Sequence, residues 1–273
     1  LRVRGFTQDD AHIFCTPEQA EDEVLAVIDL AHFMLETFGY NNFVTELSVH
    51  DSKDFGKYAG VLEDWEIAEE ALINALEKRK ISYKRIEGEA AFYGPKIDIK
   101  MLDALGRGWQ GPTIQFDFNL PKRFDLNYVG QDGERKKVVM IHRTVLGSME
   151  RFVGGLIEQY SASFPTWLSP VQARIMIIGE DQKSYAEKVF EELKKSGIRT
   201  DIDFRNEKIG YKIREAESDK VPYMLVIGNR EEESSHVSVR VRGQGNKGSF
   251  IISELIEKII EDINLRAPSP RID

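Results

Sequence analysis

The sequence is short of cysteine, of long apolar runs and of basic residues, and each shortage excludes a class of protein. The single cysteine, Cys15, excludes an internal disulfide framework and any zinc site of the CxxC type. No apolar run approaches the roughly 20 residues that cross a membrane, and the first residues lack the regions of a signal peptide. We therefore expect a cytoplasmic protein without a membrane partner.

Charge and length limit the remaining possibilities. The formal net charge of −9 opposes non-specific binding to nucleic acids, because phosphate contacts rest on Lys and Arg, but a local basic surface stays possible. With 273 residues, 41% of them hydrophobic and 30% charged, the chain can form one large domain or two of ordinary size. Because it begins without Met inside a strand-like pattern, we expect a piece of a longer protein.

The first half predicts an antiparallel sheet backed by helices. Apolar periodicity favours one helix over residues 18–38 and a second over residues 65–76. Residues 44–49 are typical of a strand, and strand signals dominate from 91 to 120, interrupted by "YGPK" and "WQGPT".

After "FPTWLSPVQ", residues 164–172, strands and helices alternate. This rhythm predicts a small α/β domain with a mostly parallel or mixed sheet. The two prolines, Pro165 and Pro170, mark the boundary, so we predict a first domain over residues 1–166 and a second over residues 171–273.

Three stretches concentrate chemically capable side chains, the first being "RVRGFTQDDAHIFC" at residues 2–15. Interpreted as a strand, it puts Phe6, Gln8, Asp10, His12 and Phe14 on one face. For this strand taken alone, the solvated face of an edge strand is a better explanation of these residues than a functional surface.

The second stretch is "VVMIHRTVLGSMERF", in which a strand ends at His142 and a helix begins after Ser148, a good N-cap. Arg151 falls in the first turn, where a cation opposes the helix dipole, so its natural partner is an anion or an aromatic face. A surface ion pair of Arg151 with Glu150 or Glu158 is the alternative.

The third stretch, "WQGPTIQFDF", alternates Thr113, Gln115 and Asp117 with apolar residues. One face is therefore apolar and the other presents an amide and a carboxylate. Glutamine is unusual at a strand centre unless it forms a specific hydrogen bond, although a satisfied cross-strand pair would also explain it.

These stretches, together with "AFYGPKIDI" and "RNEKIGYKIRE", closely resemble the threonyl-tRNA synthetases, a family of class II aminoacyl-tRNA synthetases. The first is similar to the second strand of the family's motif 2, and "VLGSMERF" is similar to its motif 3. The resemblance covers essentially the whole chain. It implies an α+β and α/β fold: a partial antiparallel-sheet catalytic core, followed by a small α/β anticodon-binding domain with a mixed sheet.

The resemblance implies an enzyme that activates L-threonine with ATP and Mg²⁺ and transfers it to tRNA(Thr). Gln8 and Arg151 would be its catalytic residues. Threonine would be bound by Asp10, Tyr93, Lys96 and Gln115. ATP would be bound by Arg2, Phe6, Gln110, Ser148 and Arg151.

The resemblance also implies a zinc ion that recognises the amino and hydroxyl groups of threonine, with His12 and His142 as two protein ligands. The family's third ligand is a cysteine upstream of motif 2, outside this chain. Cys15 cannot be assumed to replace that cysteine, because period two points Cys15 to the opposite face from His12.

In the second domain, Asn206, Glu231 and Arg240 would read the anticodon bases of the tRNA. A homodimer is implied as well. Because motif 1, an arginine of motif 2 and the editing domain of the family would all precede Leu1, we expect the fragment alone to be weakly active or inactive.

Two other hypotheses stay open. One is a synthetase-like RNA-binding module without catalysis. The joint presence of five residues argues against it: Gln8, Asp10, His12, His142 and Arg151. The other is a zinc hydrolase built on Asp10, His12 and His142, for which the sequence nominates no general base.

Overall fold

The computed structural model describes residues 4–102 and 106–272, which form two compact units, one ending at Gln159 and one beginning at Tyr160. This division precedes the stretch in which the sequence places the domain boundary, and that boundary stays a prediction. Arg2, predicted to bind ATP, lies outside the described residues. None of the described helices has the length and apolar character of a membrane span.

The first unit is built on a six-stranded sheet with the strand order β1-β8-β5-β4-β2-β3 and carries a separate two-stranded sheet, β6-β7. Its strands are β1 (Ala11–Cys15), β2 (Phe43–Val49), β3 (Tyr83–Glu87), β4 (Lys96–Leu102), β5 (Gly108–Asp117), β6 (Asn127–Val129), β7 (Arg135–Lys137) and β8 (Val139–Thr144). Its helices are α1 (Ala20–Thr37), α2 (Leu62–Lys78), α3 (Asn119–Arg123) and α4 (Met149–Tyr160).

The predicted antiparallel sheet backed by helices is confirmed, with one exception. Strands β2 and β3 pair in parallel, because the chain between them crosses over through α2, and a parallel pair needs such a crossover. The long helices bury their apolar stripes, with Ile28, Leu35 and Leu72 at most 1% exposed. The helices back one face of the sheet, so the other face is available for a binding site.

The antiparallel register places polar residues of four strands in one row on that face. His12 of β1 lies opposite His142 of β8, which lies opposite Gln115 of β5, which in turn lies opposite Lys96 of β4. Facing residues of paired strands project to the same side of the sheet. The row is therefore a direct consequence of strand order and register.

The strand predicted over residues 2–15 is shorter in the structure. Regular pairing covers only Ala11–Cys15, and Gln8 forms an isolated bridge with Ser148. The reason is that the preceding residues bond to the start of α4 and the residue before it: the amide of Met149 donates to the carbonyl of Thr7 at 2.9 Å. These residues therefore follow the start of α4 instead of pairing regularly with β8.

The second unit has a five-stranded mixed sheet, as the sequence predicts. The strand order is β10-β9-β11-β12-β13, with β10, β9 and β11 parallel and the last two strands antiparallel. The strands are β9 (Ala173–Ile177), β10 (Thr200–Asp203), β11 (Tyr223–Ile227), β12 (His236–Val241) and β13 (Gly245–Ile251). The helices are α5 (Lys183–Lys195), α6 (Ile209–Ser218), α7 (Asn229–Ser234) and α8 (Ile252–Asn264).

Both faces of this sheet are covered by apolar packing. Leu225 and Ile175 pack on one side with residues of α5 and α8. Met176 and Met224 pack on the other side with residues of α6. The continuous apolar runs of β9 and β11 follow from this double burial.

Candidate active site

A polar cavity of about 400 Å³ opens on the polar face of the first unit's sheet. It is lined by nine of the residues that the sequence predicts to bind substrate, ATP or metal: Phe6, Gln8, Asp10, Lys96, Gln110, Gln115, His142, Ser148 and Arg151. These residues are dispersed over more than half of the chain, and the fold brings them together at one place.

Tyr93 joins this group through hydrogen bonding and ring contacts. Its hydroxyl donates to Oε1 of Gln115 at 2.8 Å, and its ring centroid lies 5.4 Å from that of His142. Burial raises the pKa of Tyr93, and the carboxylates of Asp117 and Asp10 raise it further. The phenol therefore stays protonated at neutral pH. Gln115 forms the specific hydrogen bond that the sequence predicts for a glutamine at a strand centre.

The two predicted metal ligands are neighbours. The rings of His12 and His142 meet edge to face with their centroids 4.5 Å apart. The fully buried Asp117 holds its Oδ2 2.8 Å from Nε2 of His142, while its Oδ1 accepts from the amides of Asn119 and Leu120 at the start of α3. Among the described residues, no group of three potential metal ligands occurs.

A buried carboxylate organises the other side of the cavity. Oδ2 of Asp98 accepts from Nζ of Lys96 at 2.6 Å and from the hydroxyl of Ser48 at 3.0 Å. Its Oδ1 accepts from Nε2 of Gln110 at 2.9 Å. Two predicted binding residues therefore share one anchor that the sequence does not single out.

The loop before α4 is fixed by two carboxylates. The carboxylate of Asp9 accepts from the amide of Val145 at 2.9 Å. The carboxylate of Glu150 accepts from the amide of Thr7 at 2.9 Å. The hydroxyl of Ser148 also donates to Glu150 at 2.9 Å.

Glu150 is thus held by backbone and hydroxyl donors, and in the described part of the chain Arg151 forms no ion pair with it. The alternative of a surface pair between Arg151 and Glu150 is wrong for this structure. Arg151 instead contributes to the wall of the polar cavity.

An apolar cavity of about 340 Å³ adjoins the polar one. Met101, Trp109 and Phe152 are among the side chains that line it. The residues that line both cavities include Phe6, Gln110, Ser148 and Arg151. These four are the described members of the predicted ATP-binding set.

The three residues predicted to read an anticodon lie at different parts of the second unit. Asn206 follows β10 and Glu231 lies in α7, after the end of β11, so both lie near the carboxyl edge of the parallel strands. Arg240 lies within β12 opposite Met224, near the start of β11. Its Nε is buried and has no hydrogen-bond partner within the described ranges.

Comparison with known protein families matches residues 1–160 to the tRNA synthetase class II core domain (G, H, P, S and T). The chain belongs to the class II tRNA synthetase core family. Residues 172–262 match an anticodon binding domain, and the predicted fold class is thereby confirmed.

Curated relatives of this class II core are named threonine–tRNA ligases. The protein of Acidobacterium capsulatum is 56% identical over 256 residues, covering 94% of this chain and 38% of the relative. That of Caldanaerobacter subterraneus subsp. tengcongensis is 50% identical over 98% of this chain and 41% of the relative. The chain thus spans about two fifths of the length of these relatives.

A solved structure extends the likeness to the fold. The RNA binding domain of threonyl-tRNA synthetase from Cryptosporidium parvum Iowa II superimposes with a TM-score of 0.89 at 38% identity. The match covers 100% of this chain and 66% of that chain. Both units of the class II core chain therefore have counterparts in a threonyl-tRNA synthetase.

Sequence reasoning missed the carboxylates that hold the class II site together. Asp98 shares a strand face with Lys96 in "KIDIK", and this alternation could have indicated it. Asp9 lies between Gln8 and Asp10, so the alternation places it on the opposite face of the strand. The alternation does not indicate that Asp9 accepts hydrogen bonds from the amides of Val145 and Leu146.

Proposed function

We propose that this chain carries most of the adenylate-forming site and the anticodon-reading unit of a threonine–tRNA ligase. Such an enzyme joins the carboxylate of L-threonine to the α-phosphate of ATP with Mg²⁺ and releases pyrophosphate, and it then transfers the threonyl group to the terminal ribose of tRNA(Thr) and releases AMP. The observation that carries the proposal is the convergence of nine predicted residues on one polar cavity. Catalysis of this kind rests on positioning and charge neutralisation.

The nucleotide half of the proposal rests on the adjoining cavities. An adenine base is flat and largely apolar, and the apolar cavity has Phe6 and Arg151 in its wall. A base held between an aromatic ring and a guanidinium gains stacking and cation–π attraction. In this arrangement Arg151 and Gln8 would face the phosphate from the polar side.

The threonine half places Asp10, Tyr93, Lys96 and Gln115 around the amino acid. Asp10 would attract its ammonium group, and Lys96 would neutralise the carboxylate or the phosphate to which it becomes joined. Because Gln115 accepts from Tyr93, its amide nitrogen is left to donate. The pocket then offers both donors and acceptors to a small polar substrate.

We also propose that His12 and His142 hold a zinc ion, completed by a third ligand that does not come from the described residues. The arrangement fits, because the ring nitrogen of a metal-binding histidine that does not bind the metal commonly donates its N–H to a carboxylate. In this site Nε2 of His142 is paired with the carboxylate of Asp117. Nδ1 of His142 is then the nitrogen that would bind the metal. The ion would supply Lewis-acid recognition of the threonine hydroxyl, which valine lacks.

The second unit supports tRNA as the partner. A buried guanidinium nitrogen without a partner is costly unless a ligand satisfies it, and Nε of Arg240 is such a donor among the described residues. Sequence-specific RNA recognition mostly targets unstacked loop bases. Asn206, Glu231 and Arg240 would supply the amide, carboxylate and guanidinium groups for an anticodon, and a homodimer remains part of this proposal.

The proposal is tested by binding of threonyl-sulfamoyl-adenosine, a stable analogue of threonyl-adenylate, to the full chain by calorimetry. We expect binding of the threonyl analogue and weaker binding of the valyl analogue. Arg151→Ala should weaken binding at least about 10-fold, whereas Arg135→Ala, which removes an exposed arginine of β7, should not.

Two results would speak against this function. Equal binding of threonyl and valyl analogues would contradict the proposal that the site is specific for threonine. No analogue binding, combined with tight binding of a tRNA(Thr) anticodon stem-loop, would favour the RNA-binding module without catalysis.

A further inference from the structure

Asp98 is a deeply buried charged group in contact with two of the cavity's binding residues. It is 3% exposed and lies in the middle of β4, between Lys96 and Lys100 on the same face. A carboxylate removed from water in this way is costly unless donors compensate it. The donors that do so come from three strands: β2, β4 and β5.

Two of the three donors have different predicted roles in the site. Lys96 is a predicted threonine-binding residue, and Gln110 is a predicted ATP-binding residue. Both line the polar cavity, and Gln110 also lines the apolar one. The third donor, Ser48, is 2% exposed and faces the carboxylate from β2.

A bulge between β4 and β5 brings Gln110 to this carboxylate. Asp98 faces Thr113 while Lys100 faces Gln110, so two residues of β5 lie opposite Ile99 alone. With regular alternation, residue 111 would share the face of Thr113. The bulge puts residue 110 there instead, and its amide then reaches Asp98 at 2.9 Å.

The contacts restrict what Lys96 and Gln110 present to a ligand. The lysine side chain is 20% exposed, and one of its ammonium donors is bound to Asp98, which leaves two for an anion. The Gln110 amide turns Nε2 toward Asp98, which fixes the orientation of the group. Without the carboxylate, both long side chains would regain rotamer freedom that binding would have to remove.

We propose that Asp98 is a positioning residue that holds Lys96 for the acyl-phosphate end of the substrate and Gln110 for its nucleoside end. This inference rests on the proposed function, because it assigns a role within the same site. Although Asp98 also lines the polar cavity, this role needs no contact of its own with substrate or metal. It acts through the two side chains that it anchors.

The test compares Asp98→Asn with Ser48→Ala in the full chain. Asn keeps the shape and can still accept a hydrogen bond from Gln110 or Ser48, but it lacks the charge that holds Lys96. Ser48→Ala removes a hydrogen bond to the same carboxylate without touching either binding residue. Circular dichroism and thermal melting establish that both variants are folded.

We expect Asp98→Asn to weaken binding of threonyl-sulfamoyl-adenosine by about 10- to 100-fold and Ser48→Ala by about twofold or less. The double variant Asp98→Asn/Lys96→Met should bind the analogue about as weakly as Lys96→Met alone, because the two residues act as one unit. Fully additive losses would overturn the inference, as would wild-type affinity in a folded Asp98→Asn.

A second measurement separates this inference from the proposed function. Proton–nitrogen NMR of the Lys96 ammonium reports its hydrogen bonding without any ligand. We expect a slowly exchanging signal in the wild type and in Ser48→Ala, and its loss in Asp98→Asn. An unchanged signal in Asp98→Asn would overturn the positioning role, whereas failure of the wild-type chain to bind the analogue would contradict the proposed function.

Discussion

Three carboxylates, two of them buried and one exposed, fix side chains of this site. Asp117 holds His142, Asp98 holds Lys96, and Glu150 holds Ser148. Each anchor acts on a residue that the sequence nominates for binding. Removal of an anchor therefore alters the geometry of the site without removal of a ligand-binding group.

At this scale the zinc proposal makes a direct prediction. His142→Ala should abolish stoichiometric zinc in the purified chain, as measured by elemental analysis, because one of two described imidazole ligands is lost. Asp117→Asn should lower zinc affinity by roughly 10-fold or more, since the orienting carboxylate is changed. His236→Ala, a substitution in the second unit, serves as the control and should retain the metal. A His142→Ala variant that keeps stoichiometric zinc would refute the proposed site.

Cys15 supplies a second residue-scale prediction. Burial, together with the nearby Glu23 carboxylate, raises the pKa of its thiol to about 11. The thiolate fraction near neutral pH is then much smaller than in the unfolded chain, where the pKa is the ordinary one. We expect alkylation by iodoacetamide at about pH 8 to be roughly 100-fold slower in the native chain than in urea.

The sign of the pH effect follows from the same shift. Because the folded-state pKa lies above the unfolded value of 9.0, the thiol favours the folded chain most below that pH. This contribution is lost as the pH rises from about 9 toward 11. Rapid alkylation of the native chain at neutral pH would contradict the burial of Cys15.

At the scale of elements, the turn "YGPK" is fitted against the backbone of β5. The amide of Phe116 donates to the carbonyl of Pro95 at 3.0 Å, and a Cβ on Gly94 would lie 1.7 Å from the carbonyl oxygen of Phe116. No side chain can occupy that position unless the turn and the strand separate. The turn carries Tyr93, so its position also sets one wall of the site.

We therefore expect Gly94→Ala to destabilise the first unit by about 3 kcal/mol or more and to weaken binding of the adenylate analogue. Thermal melting and calorimetry measure the two effects. Gly56→Ala is the matched control, because its Cβ would meet only Asp54 at an ordinary 3.7 Å. A Gly94→Ala variant with wild-type melting would show that the turn is not packed as described.

At the scale of the molecule, each unit has its own core and its own sheet. The second unit buries apolar residues on both faces of its central strands β9 and β11, and Ile175, Leu225 and Val239 are fully buried. A domain of this size, a little over 100 residues, buries enough surface to fold alone.

We accordingly expect a chain that begins at Tyr160 to fold by itself, with a single cooperative thermal transition and dispersed amide NMR signals. Arg240→Gln in this unit should weaken binding to a tRNA(Thr) anticodon stem-loop by about 10-fold, as measured by fluorescence anisotropy. Arg271→Gln removes the same charge elsewhere and is the control. An unfolded segment would mean that the unit depends on the rest of the chain.

The sequence by itself determined the kinds of elements and most of the candidate residues. Periodicity predicts α1 and α2 because an amphipathic helix must bury one stripe, and "KIDIK" and "TIQFD" alternate because a sheet with one covered face needs that pattern. Strands such as β3 and β13 are harder to predict from the sequence, because their residues are at most partly buried.

Only the tertiary structure decided how those residues meet. Register brings His12 to His142, and a bulge brings Gln110 to Asp98. Neither follows from local pattern, because strand order and the position of a bulge depend on packing between segments distant in the chain. The carboxylate anchors stay hidden in the sequence for the same reason: an aspartate in a strand is marked as an anchor only by donors that other strands supply.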